Sequence, residues 1–477
     1  MMNGNEYKES LKKLNPIIYY NGEKINCTHP MLKPHVNSAA MTYELAHDSL
    51  YKNLMTAPSH LTGKTINRFT HINQSKDDLV NKVKMMRMIA QKTGTCFQRC
   101  VGLDAINATY ITTYDMDKKR GTDYHQKFLR WLEYIQDNDF MVAGAMTDVK
   151  GDRSLKPSHQ ADPDLFVHVV EKREDGVIIK GAKAHMTGMA NSHEMLILPT
   201  TNLLEGDEDY AIACAIPVDA EGVLHIFGRQ TNDQRRLEGD IDTGNSEYAI
   251  VGGETLTVLN NVFVPWERVF MCGEIEFAQD YVTRFAAYHR QNYGGCKVGN
   301  MDILIGAVSL IAKFNGTNTA SHIKDKLIEM THLAETMYAC SLACSYEGTK
   351  TDAGSYYVNT LLANEVKLNC TRNMYEISRL AHDIAGGFIA TLPHENDLKS
   401  PETGDYIRKY FAGNAKYAAE DRIKIARLIE NMSGGTALAE SMHGAGSPQA
   451  MRIMIYRESN IDQKEKLAAN IAHIKIK

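Results

Sequence analysis

The sequence predicts an α+β protein in which a helical N-terminal domain is followed by a β domain and then by a helical bundle. The prediction rests on two changes of hydrophobic periodicity. Apolar residues recur at helical spacing to about residue 139, alternate in short β-branched segments to about 273, and then return to helical spacing. We therefore expect domains at 1–139, 140–273 and 274–477, which the length of 477 residues allows.

The N-terminal domain contains a clear helix start. Ser75 can cap a helix whose first turn carries Asp77 and Asp78, and apolar residues follow at helical spacing. Gly94 is expected to interrupt this helix just before a second helical segment. A further amphipathic helix is expected at about 124–134.

The middle domain is predicted from short β-branched segments that alternate with turn signals. Segments 165–171 and 177–184 flank Asp175-Gly176, a pair typical of a β-hairpin. Further strands are expected at 195–199, 210–217, 222–227 and 255–265. Such a series indicates a β-barrel or a β-sandwich.

The C-terminal domain is predicted to be a bundle of long helices. Helical apolar spacing extends over 277–293, 301–313, 321–346, 356–381 and 415–431. Gly294-Gly295 is expected to break the helical pattern and to let the backbone approach a neighbouring group closely. Helices, then strands, then a helical bundle is the order of elements in acyl-CoA dehydrogenase-like flavoproteins.

Composition limits the functional class. The formal net charge of −5 and the pI of about 6.4 give no electrostatic reason to expect nucleic acid or an anionic membrane as a partner. The longest apolar run, about 303–312, is too short to span a bilayer. Nine cysteines without a regular framework, and no apolar signal segment at the start, favour a cytoplasmic protein with reduced thiols.

The segment 288–297 concentrates reactive side chains. If it is helical, His289, Tyr293 and Cys296 share one face, and Lys297 follows directly. An imidazole and a thiol beside an ammonium group suit a soft metal centre. A buried histidine and a structural cysteine would produce the same pattern.

A second thiol pair can complete that ligand set. Cys96 and Cys100 are four residues apart, so a helix would bring both sulfurs to one face. Three thiolates and one imidazole suit zinc or an iron–sulfur cluster equally well. Cys340 and Cys344 have the same spacing, but they lie in a run of small apolar residues and are expected to be core thiols.

These segments carry a resemblance to a known family. Together with 144–148, 150–153, 181–185 and 440–449, they make the chain similar to the 4-hydroxybutyryl-CoA dehydratase/vinylacetyl-CoA Δ-isomerase family. That family is related to the 4-hydroxyphenylacetate 3-monooxygenase flavoproteins, which lack the cysteine and histidine set. The resemblance implies an acyl-CoA dehydrogenase-like fold, a homotetramer, and two cofactors, FAD and a [4Fe–4S] cluster.

The resemblance also implies positions for both cofactors. The cluster ligands it implies are Cys96, Cys100, His289 and Cys296. The flavin residues it implies are Thr147, Asp148, Lys150, Asp152, Arg153, Lys183, His185, Thr187 and Gly188. Gly386 and Gly387 resemble a glycine stretch that meets the adenosine part of FAD across a subunit interface, although a helix C-cap is an equal alternative.

The activity implied by the resemblance is dehydration of 4-hydroxybutyryl-CoA to crotonyl-CoA, with isomerisation of vinylacetyl-CoA. In the family, FAD takes an electron transiently while the cluster acts as a Lewis acid, so no nicotinamide site is expected. The catalytic residues it implies are His289, Glu254, Tyr293, Lys297, Glu440 and Thr187. Each has a structural alternative, since an acid can cap a helix or begin a strand and a tyrosine can pack in a core.

Two other functions remain open on sequence. A flavin monooxygenase or acyl-CoA oxidoreductase of the same fold would use FAD without a cluster, and its cysteines would be incidental. A binding protein with a structural zinc ion would use the same four ligands. It would leave the loop 150–153 and the segment 183–188 unexplained.

Overall fold

The computed structural model describes residues 1–200, 203–231, 233, 235, 238–245, 247–248 and 251–475. The helices are α1 (Gly4–Leu11), α2 (Lys33–His47), α3 (Lys52–Met55), α4 (Lys76–Thr93), α5 (Cys100–Arg120), α6 (Tyr124–Asp137), α7 (Asp240–Thr243), α8 (Ile275–Phe314), α9 (Ser321–Tyr346), α10 (Thr360–Ala385), α11 (Glu395–Lys399), α12 (Gly404–Tyr410), α13 (Ala419–Met432), α14 (Gly435–His443), α15 (Pro448–Glu458) and α16 (Ile461–Ile471). The strands are β1 (Ile18–Tyr20), β2 (Glu23–Ile25), β3 (Thr56–Pro58), β4 (Thr65–Asn67), β5 (Val142–Ala145), β6 (His168–Lys172), β7 (Gly176–Thr187), β8 (Glu194–Ile197), β9 (Ile212–Pro217), β10 (Val223–Phe227), β11 (Glu254–Pro265), β12 (Val269–Cys272), β13 (Thr349–Lys350) and β14 (Tyr356–Tyr357). These elements form a mixed α+β fold whose C-terminal region is helical.

Two larger sheets form the β part of the fold. One has the strand order β2-β1-β10-β11-β7-β6 and the other the order β12-β9-β8-β5. The six predicted strands correspond to β6–β11, and the predicted hairpin joins β6 to β7. Strands β1 and β2 were not predicted, because three residues are too few to show an alternating pattern.

Strands β7 and β11 are the longest pair and lead directly to the site. They run antiparallel, and Glu254 at the start of β11 lies opposite Thr187 at the end of β7. Side chains from both sheets share one core cluster with residues of α5, α6 and the first part of α8. The sheets therefore pack against the helices that carry the candidate ligands.

Helix α4 begins and ends where local signals predict. The Ser75 side chain accepts a hydrogen bond from the backbone N–H of Asp78, and Asp77 lies in the first turn. Gly94 ends the helix in a left-handed conformation, with φ of 64°. Both predictions are confirmed.

Helix α8 corrects the prediction made for Gly294-Gly295. The segments expected as two helices form one helix of 40 residues, and the two glycines lie inside it. A Cβ at Gly295 would be 2.5 Å from the carbonyl oxygen of Val83 in α4, and one at Gly294 would be 2.2 Å from the Cβ of Ser341 in α9. The glycines therefore allow close helix packing instead of breaking the helix.

Helices α8, α9 and α10 form the centre of the C-terminal region and share a second core cluster with α13. Helix α9 matches its predicted range, whereas α10 begins only at Thr360, after the Asn359 side chain has capped it. By length and composition α8 is apolar enough to cross a membrane. However, 61% of its most apolar 18-residue window is buried in the protein, as in a core helix.

Candidate active site

Helix α8 carries one row of functional side chains. His289, Tyr293 and Cys296 lie one or two turns apart on the same helix, as the spacing predicted. The His289 ring is parallel to that of Phe285 at 5.7 Å and meets the Tyr293 ring edge-on at 5.7 Å. Packing on both sides therefore fixes the orientation of the imidazole.

Cys96 and Cys100 do not share a helix, so a helical spacing does not bring their sulfurs to one face. Cys100 is the first residue of α5, and Cys96 lies in the loop before it. Between them, Gln98 has a left-handed backbone with φ of 69°, which a continuous α-helix does not allow. Gly188 packs against this loop, since a Cβ there would be 3.1 Å from the Cβ of Gln98.

The three thiols nevertheless lie close enough to affect one another's charge. Burial raises the pKa of Cys100 well above its usual range, and the sulfurs of Cys96 and Cys296 raise it further. Burial also raises the pKa of Cys296 to about 12, against the opposing charge of Lys297. Such thiols stay protonated at neutral pH unless a cation binds them.

Three residues close to these thiols along the chain carry buried polar atoms without partners. Thr95 Oγ1 and Gln98 Oε1, beside Cys96, have no hydrogen-bond partner among the described residues, and neither does Asn292 Oδ1 on α8. Buried polar atoms are normally hydrogen-bonded. These three atoms are therefore available to bond a further bound group.

Glu254 and Thr187 face the same region from the sheet. The Thr187 hydroxyl lies 2.8 and 2.9 Å from the two carboxylate oxygens of Glu254. A Cβ at Gly252 would lie 2.9 Å from Glu254 Oε1 and 3.4 Å from Cys96 Sγ, so the acid and the thiol flank one glycine. Burial first, and then the charge of Glu440, raise the pKa of Glu254 to about 8.

Helix α14 adds Glu440, which forms an ion pair with Lys297 of α8. Desolvation opposes the charged form of Lys297, but the Glu440 carboxylate and the thiols of Cys296 and Cys96 outweigh it, so its pKa is raised. Lys297 therefore stays an ammonium group at neutral pH. A Cβ at Gly444, just after α14, would overlap the Tyr293 hydroxyl at 2.0 Å, so this helix end lies against Tyr293.

Two of the predicted flavin residues bind each other. Lys183 Nζ lies 2.9 Å from the Asp148 carboxylate, and both side chains are buried. Lys183 also donates to the carbonyl oxygens of Met146 and Leu198. This buried pair fixes the loop after β5 to strand β7.

The remaining predicted flavin residues of β7 and the β5 loop are more accessible. Partial burial and then the positive charge of Lys150 lower the pKa of His185, with a further contribution from His443, the last residue of α14. Desolvation lowers the pKa of Lys150, and the charges of Arg153 and Lys183 contribute. Positive side chains of the loop and β7 therefore lie near the end of α14.

Three other predicted flavin residues have local roles. Thr147 accepts a hydrogen bond at its carbonyl oxygen from Ala184 N–H. The Asp152 carboxylate accepts from the backbone and hydroxyl of Ser154 in a turn. Gly188 has φ of 78° and donates its N–H to the carbonyl of Gly253, so a glycine is needed there.

Gly386 and Gly387 lie at the C-terminal end of α10. Gly386 has φ of 86° and donates its N–H to the carbonyl oxygen of His382, as a helix cap does. A Cβ at either glycine would meet no atom within 4 Å, so this end of the helix faces open space.

The candidate site differs from a compact ion site in the spacing of its ligand atoms. Among the residues that the structure describes, one set of three or more acidic, histidine or cysteine ligand atoms lies mutually within 4.8 Å, and it consists of Glu238, Asp242 and His394. In that set the two ring nitrogens of His394 each face a different carboxylate. The cysteine and histidine set on α5, α8 and the loop is more widely spread.

Comparisons with known proteins place the chain in a family. Residues 3–271 match the 4-hydroxyphenylacetate 3-hydroxylase N-terminal family, and residues 278–473 match the corresponding C-terminal family. The 4-hydroxybutyryl-CoA dehydratase/vinylacetyl-CoA-Δ-isomerase of Clostridium aminobutyricum is 54% identical over 491 aligned positions, which cover 100% of both chains. The chain belongs to the 4-hydroxybutyryl-CoA dehydratase/vinylacetyl-CoA Δ-isomerase family.

Solved structures support this dehydratase-family assignment. An oxygen-tolerant archaeal 4-hydroxybutyryl-CoA dehydratase from N. maritimus has a TM-score of 0.97 and 50% identity, covering 100% of this chain and 95% of its own. The oxygenase component of 4-hydroxyphenylacetate 3-monooxygenase, in complex with FAD and 4-hydroxyphenylacetate, has a TM-score of 0.87 and 26% identity, covering 99% of both chains. The fold is therefore shared with a flavoprotein as well as with a dehydratase.

Three buried charged residues at this dehydratase-family site were missed by sequence reasoning. Asp104 accepts a hydrogen bond from His289 Nδ1 at 2.8 Å, and Lys82 forms an ion pair with Asp104. Lys367 lies 4.1 Å from the centre of the Tyr293 ring. All three lie among apolar residues in helical segments. Charged residues are seldom fully buried unless they are paired, so a charged residue within an apolar segment was the available signal for them.

Proposed function

We propose that this chain dehydrates 4-hydroxybutyryl-CoA to crotonyl-CoA and isomerises vinylacetyl-CoA to crotonyl-CoA. One observation carries the proposal: three thiols that affect one another's charge lie beside the Glu254–Thr187 pair, and one of them shares helix α8 with His289. The full-length 54% identity to an enzyme named for both activities supports it. A monooxygenase of the same fold would have no use for the convergent thiols.

The ligand set fits a [4Fe–4S] cluster better than a zinc ion. A tetrahedral zinc site would bring its ligand atoms to about 4 Å from one another, given Zn–S bonds of about 2.3 Å. The four ligand atoms here are not gathered that tightly. Cys96, Cys100, Cys296 and His289 would hold the cluster, which supplies a Lewis-acidic iron when bound.

The residues near β7 fit FAD. The positive charges of Lys150 and Arg153 suit its pyrophosphate, and Thr147, His185 and Gly188 adjoin them in the same loop and strand. When bound, FAD supplies a reversible electron acceptor. Asp148, Lys183 and Asp152 would hold the loop in shape, because their side chains already bind within the protein.

The reaction requires protein groups that accept and donate protons. Conversion of 4-hydroxybutyryl-CoA to crotonyl-CoA removes one hydrogen from C2 and one from C3, releases the C4 hydroxyl as water and adds one hydrogen at C4. Protein groups must therefore accept protons from carbon and return them to oxygen and carbon. A group whose pKa lies near neutral pH does this best.

Among the proposed catalytic residues, Glu254 best fits this requirement for a pKa near neutral pH. Its pKa of about 8 lets it hold and release a proton near neutral pH, and the Thr187 hydroxyl keeps its carboxyl group in one orientation. Lys297, as a buried ammonium group paired with Glu440, can donate a proton or orient a thioester oxygen. The Tyr293 phenol, whose pKa burial raises well above its usual range, can act as a hydrogen-bond donor.

We also propose an acyl-CoA dehydrogenase-like arrangement of domains 1–139, 140–273 and 274–477, assembled as a homotetramer. The order of helices, sheets and bundle supports the arrangement. The open space around Gly386 and Gly387 leaves room for the adenosine part of FAD from a neighbouring subunit. The nine cysteines are all free thiols, which supports the cytoplasm as the location.

The test compares two cysteine variants in anaerobically purified protein. Cys296→Ala should lose iron and lose formation of crotonyl-CoA from 4-hydroxybutyryl-CoA. Cys344→Ala is the matched control, because among the described residues this buried thiol on α9 donates only to the carbonyl oxygen of Asn359, so the substitution should leave iron content and activity unchanged. Full dehydration by an iron-free Cys296→Ala enzyme would disprove the cluster assignment. Wild-type protein that binds FAD, contains no iron and hydroxylates phenols would favour the monooxygenase function.

A further inference from the structure

Asp104 lies at the centre of a buried polar network behind His289. Its Oδ2 accepts hydrogen bonds from His289 Nδ1 at 2.8 Å and from Asn292 Nδ2 at 2.5 Å. Its Oδ1 accepts from Lys82 Nζ at 3.0 Å. Asp104 and Lys82 are each only 1% exposed, so no water competes for these contacts.

The network decides which nitrogen of His289 carries the proton. A carboxylate only accepts hydrogen bonds, so the Nδ1 that faces Asp104 must be the N–H donor. In the neutral ring, Nε2 is then left with a free lone pair. Packing of the ring against Phe285 and Tyr293 prevents it from turning to exchange the two nitrogens.

We infer that Asp104, held in place by Lys82, is a positioning residue that presents His289 Nε2 as a metal ligand. The inference rests on the proposed function, since it concerns the residue that would bind iron through its imidazole. A carboxylate that accepts from the far nitrogen of a histidine ligand typically changes metal affinity by about 10- to 100-fold. Asp104 therefore matters although it contacts neither substrate nor cofactor.

Lys82 has a specific part in this arrangement. Its ammonium group also donates to the Tyr288 carbonyl oxygen at 3.2 Å and lies 4.9 Å from the centre of the Tyr288 ring. These contacts keep it directed at Asp104 Oδ1. An ammonium group can only donate, so whatever replaces the carboxylate must turn an acceptor toward Lys82.

This requirement predicts an unusual effect of Asp104→Asn. The amide has one acceptor, its carbonyl oxygen. Lys82 would donate its hydrogen bond to this oxygen, so the NH₂ group would face His289 and Asn292. Nδ1 of His289 would then have to accept, its proton would move to Nε2, and the ligand lone pair would be lost. Adding Lys82→Met removes this competing donor, so the amide can turn its oxygen back to His289.

The experiment measures how fast a chelator removes iron from anaerobically purified protein. Asp104→Asn should lose iron about 10- to 100-fold faster than wild type. The double variant Asp104→Asn/Lys82→Met should return close to the wild-type rate. Asp302→Asn is the matched control, because Asp302 on α8 pairs with Arg87 of α4 and does not contact His289, so its rate should be unchanged.

A second double variant keeps the test decisive if Asp104→Asn alone does not fold. Asp104→Ala/Lys82→Met has no acceptor for His289 and should lose iron fast, whereas Asp104→Asn/Lys82→Met should not. Equal rates in these two variants would overturn the inference, as would a wild-type rate in folded Asp104→Asn. Wild-type protein without iron would instead overturn the proposed function, so the two failures are distinguishable.

Discussion

Gly252→Ala should lower turnover without unfolding the protein. Gly252 lies just before β11, where it separates Glu254, Thr187 and Cys96. Its φ is not in the left-handed region, so alanine can adopt the same backbone. The substitution therefore adds one methyl group to the centre of the site and does little else.

The size of the effect follows from the distances. The new Cβ would lie 2.9 Å from Glu254 Oε1 and 2.9 Å from Thr187 Cγ2. Comfortable contacts begin at about 3.5 Å, so these two side chains must move apart by about 0.5 Å or more. Because a displacement of about 1 Å can cost about 100-fold in rate, we expect kcat to fall by about 10- to 100-fold.

The pH profile gives a second readout of the same change. The hydrogen bond from Thr187 lowers the pKa of Glu254, so its loss should move the pKa seen in the kcat profile above about 8. The assay follows crotonyl-CoA formation from vinylacetyl-CoA across pH, with iron and FAD content measured in parallel.

Gly253→Ala is the matched control for Gly252→Ala. The three atoms nearest to its Cβ would belong to the rings of Phe227, at 3.0 Å, and His35, at 3.3 Å. It should cost some stability while keeping kcat near wild type. Equal kcat values for the two alanine variants, or an unchanged pH profile in Gly252→Ala, would refute the placement of Glu254 in the site.

Three further variants test Glu254 itself, a buried histidine and the packing of α4 on α8. Glu254→Gln should retain FAD and iron but lower kcat by about 100-fold or more, and a wild-type rate would make Glu254 a structural acid. Burial lowers the pKa of His193 to about 3, so its contribution to stability should fall as pH drops below 6.5, by about 1.4 kcal/mol between pH 7.5 and 5.5 in denaturant titrations. His193→Asn keeps an acceptor for Met141 N–H and should lose less over that range; an equal loss would contradict the assignment. Gly295→Ala would place a methyl 2.5 Å from the Val83 carbonyl oxygen and should lower stability by about 1–3 kcal/mol, so an unchanged Tm would refute the close packing of α4 on α8.

Local signals predicted some elements well. The start of α4 at Ser75, its end at Gly94 and the hairpin at Asp175-Gly176 all depend on side chains within a few residues, so the sequence was sufficient. The continuity of α8 was not predictable in this way. Its glycines are tolerated because two neighbouring helices pack directly against them. The local sequence does not show such tertiary contacts.

The geometry around the proposed site residues was not predictable from the sequence. The resemblance supplied Cys96 and Cys100, but Gln98 adopts a left-handed backbone without being glycine, so the loop between them could not be anticipated. Asp104 was missed because spacing along one helix does not show which residue of another helix it faces. Likewise, only the structure shows that the Lys183 ammonium group forms an ion pair with the Asp148 carboxylate.

The most direct test of the whole account is the cofactor content of anaerobically purified wild-type protein. The account predicts about four iron, four acid-labile sulfide and one FAD per chain. FAD without iron would contradict the dehydratase assignment and favour a flavin oxidoreductase. Zinc without FAD would contradict the proposed chemistry altogether.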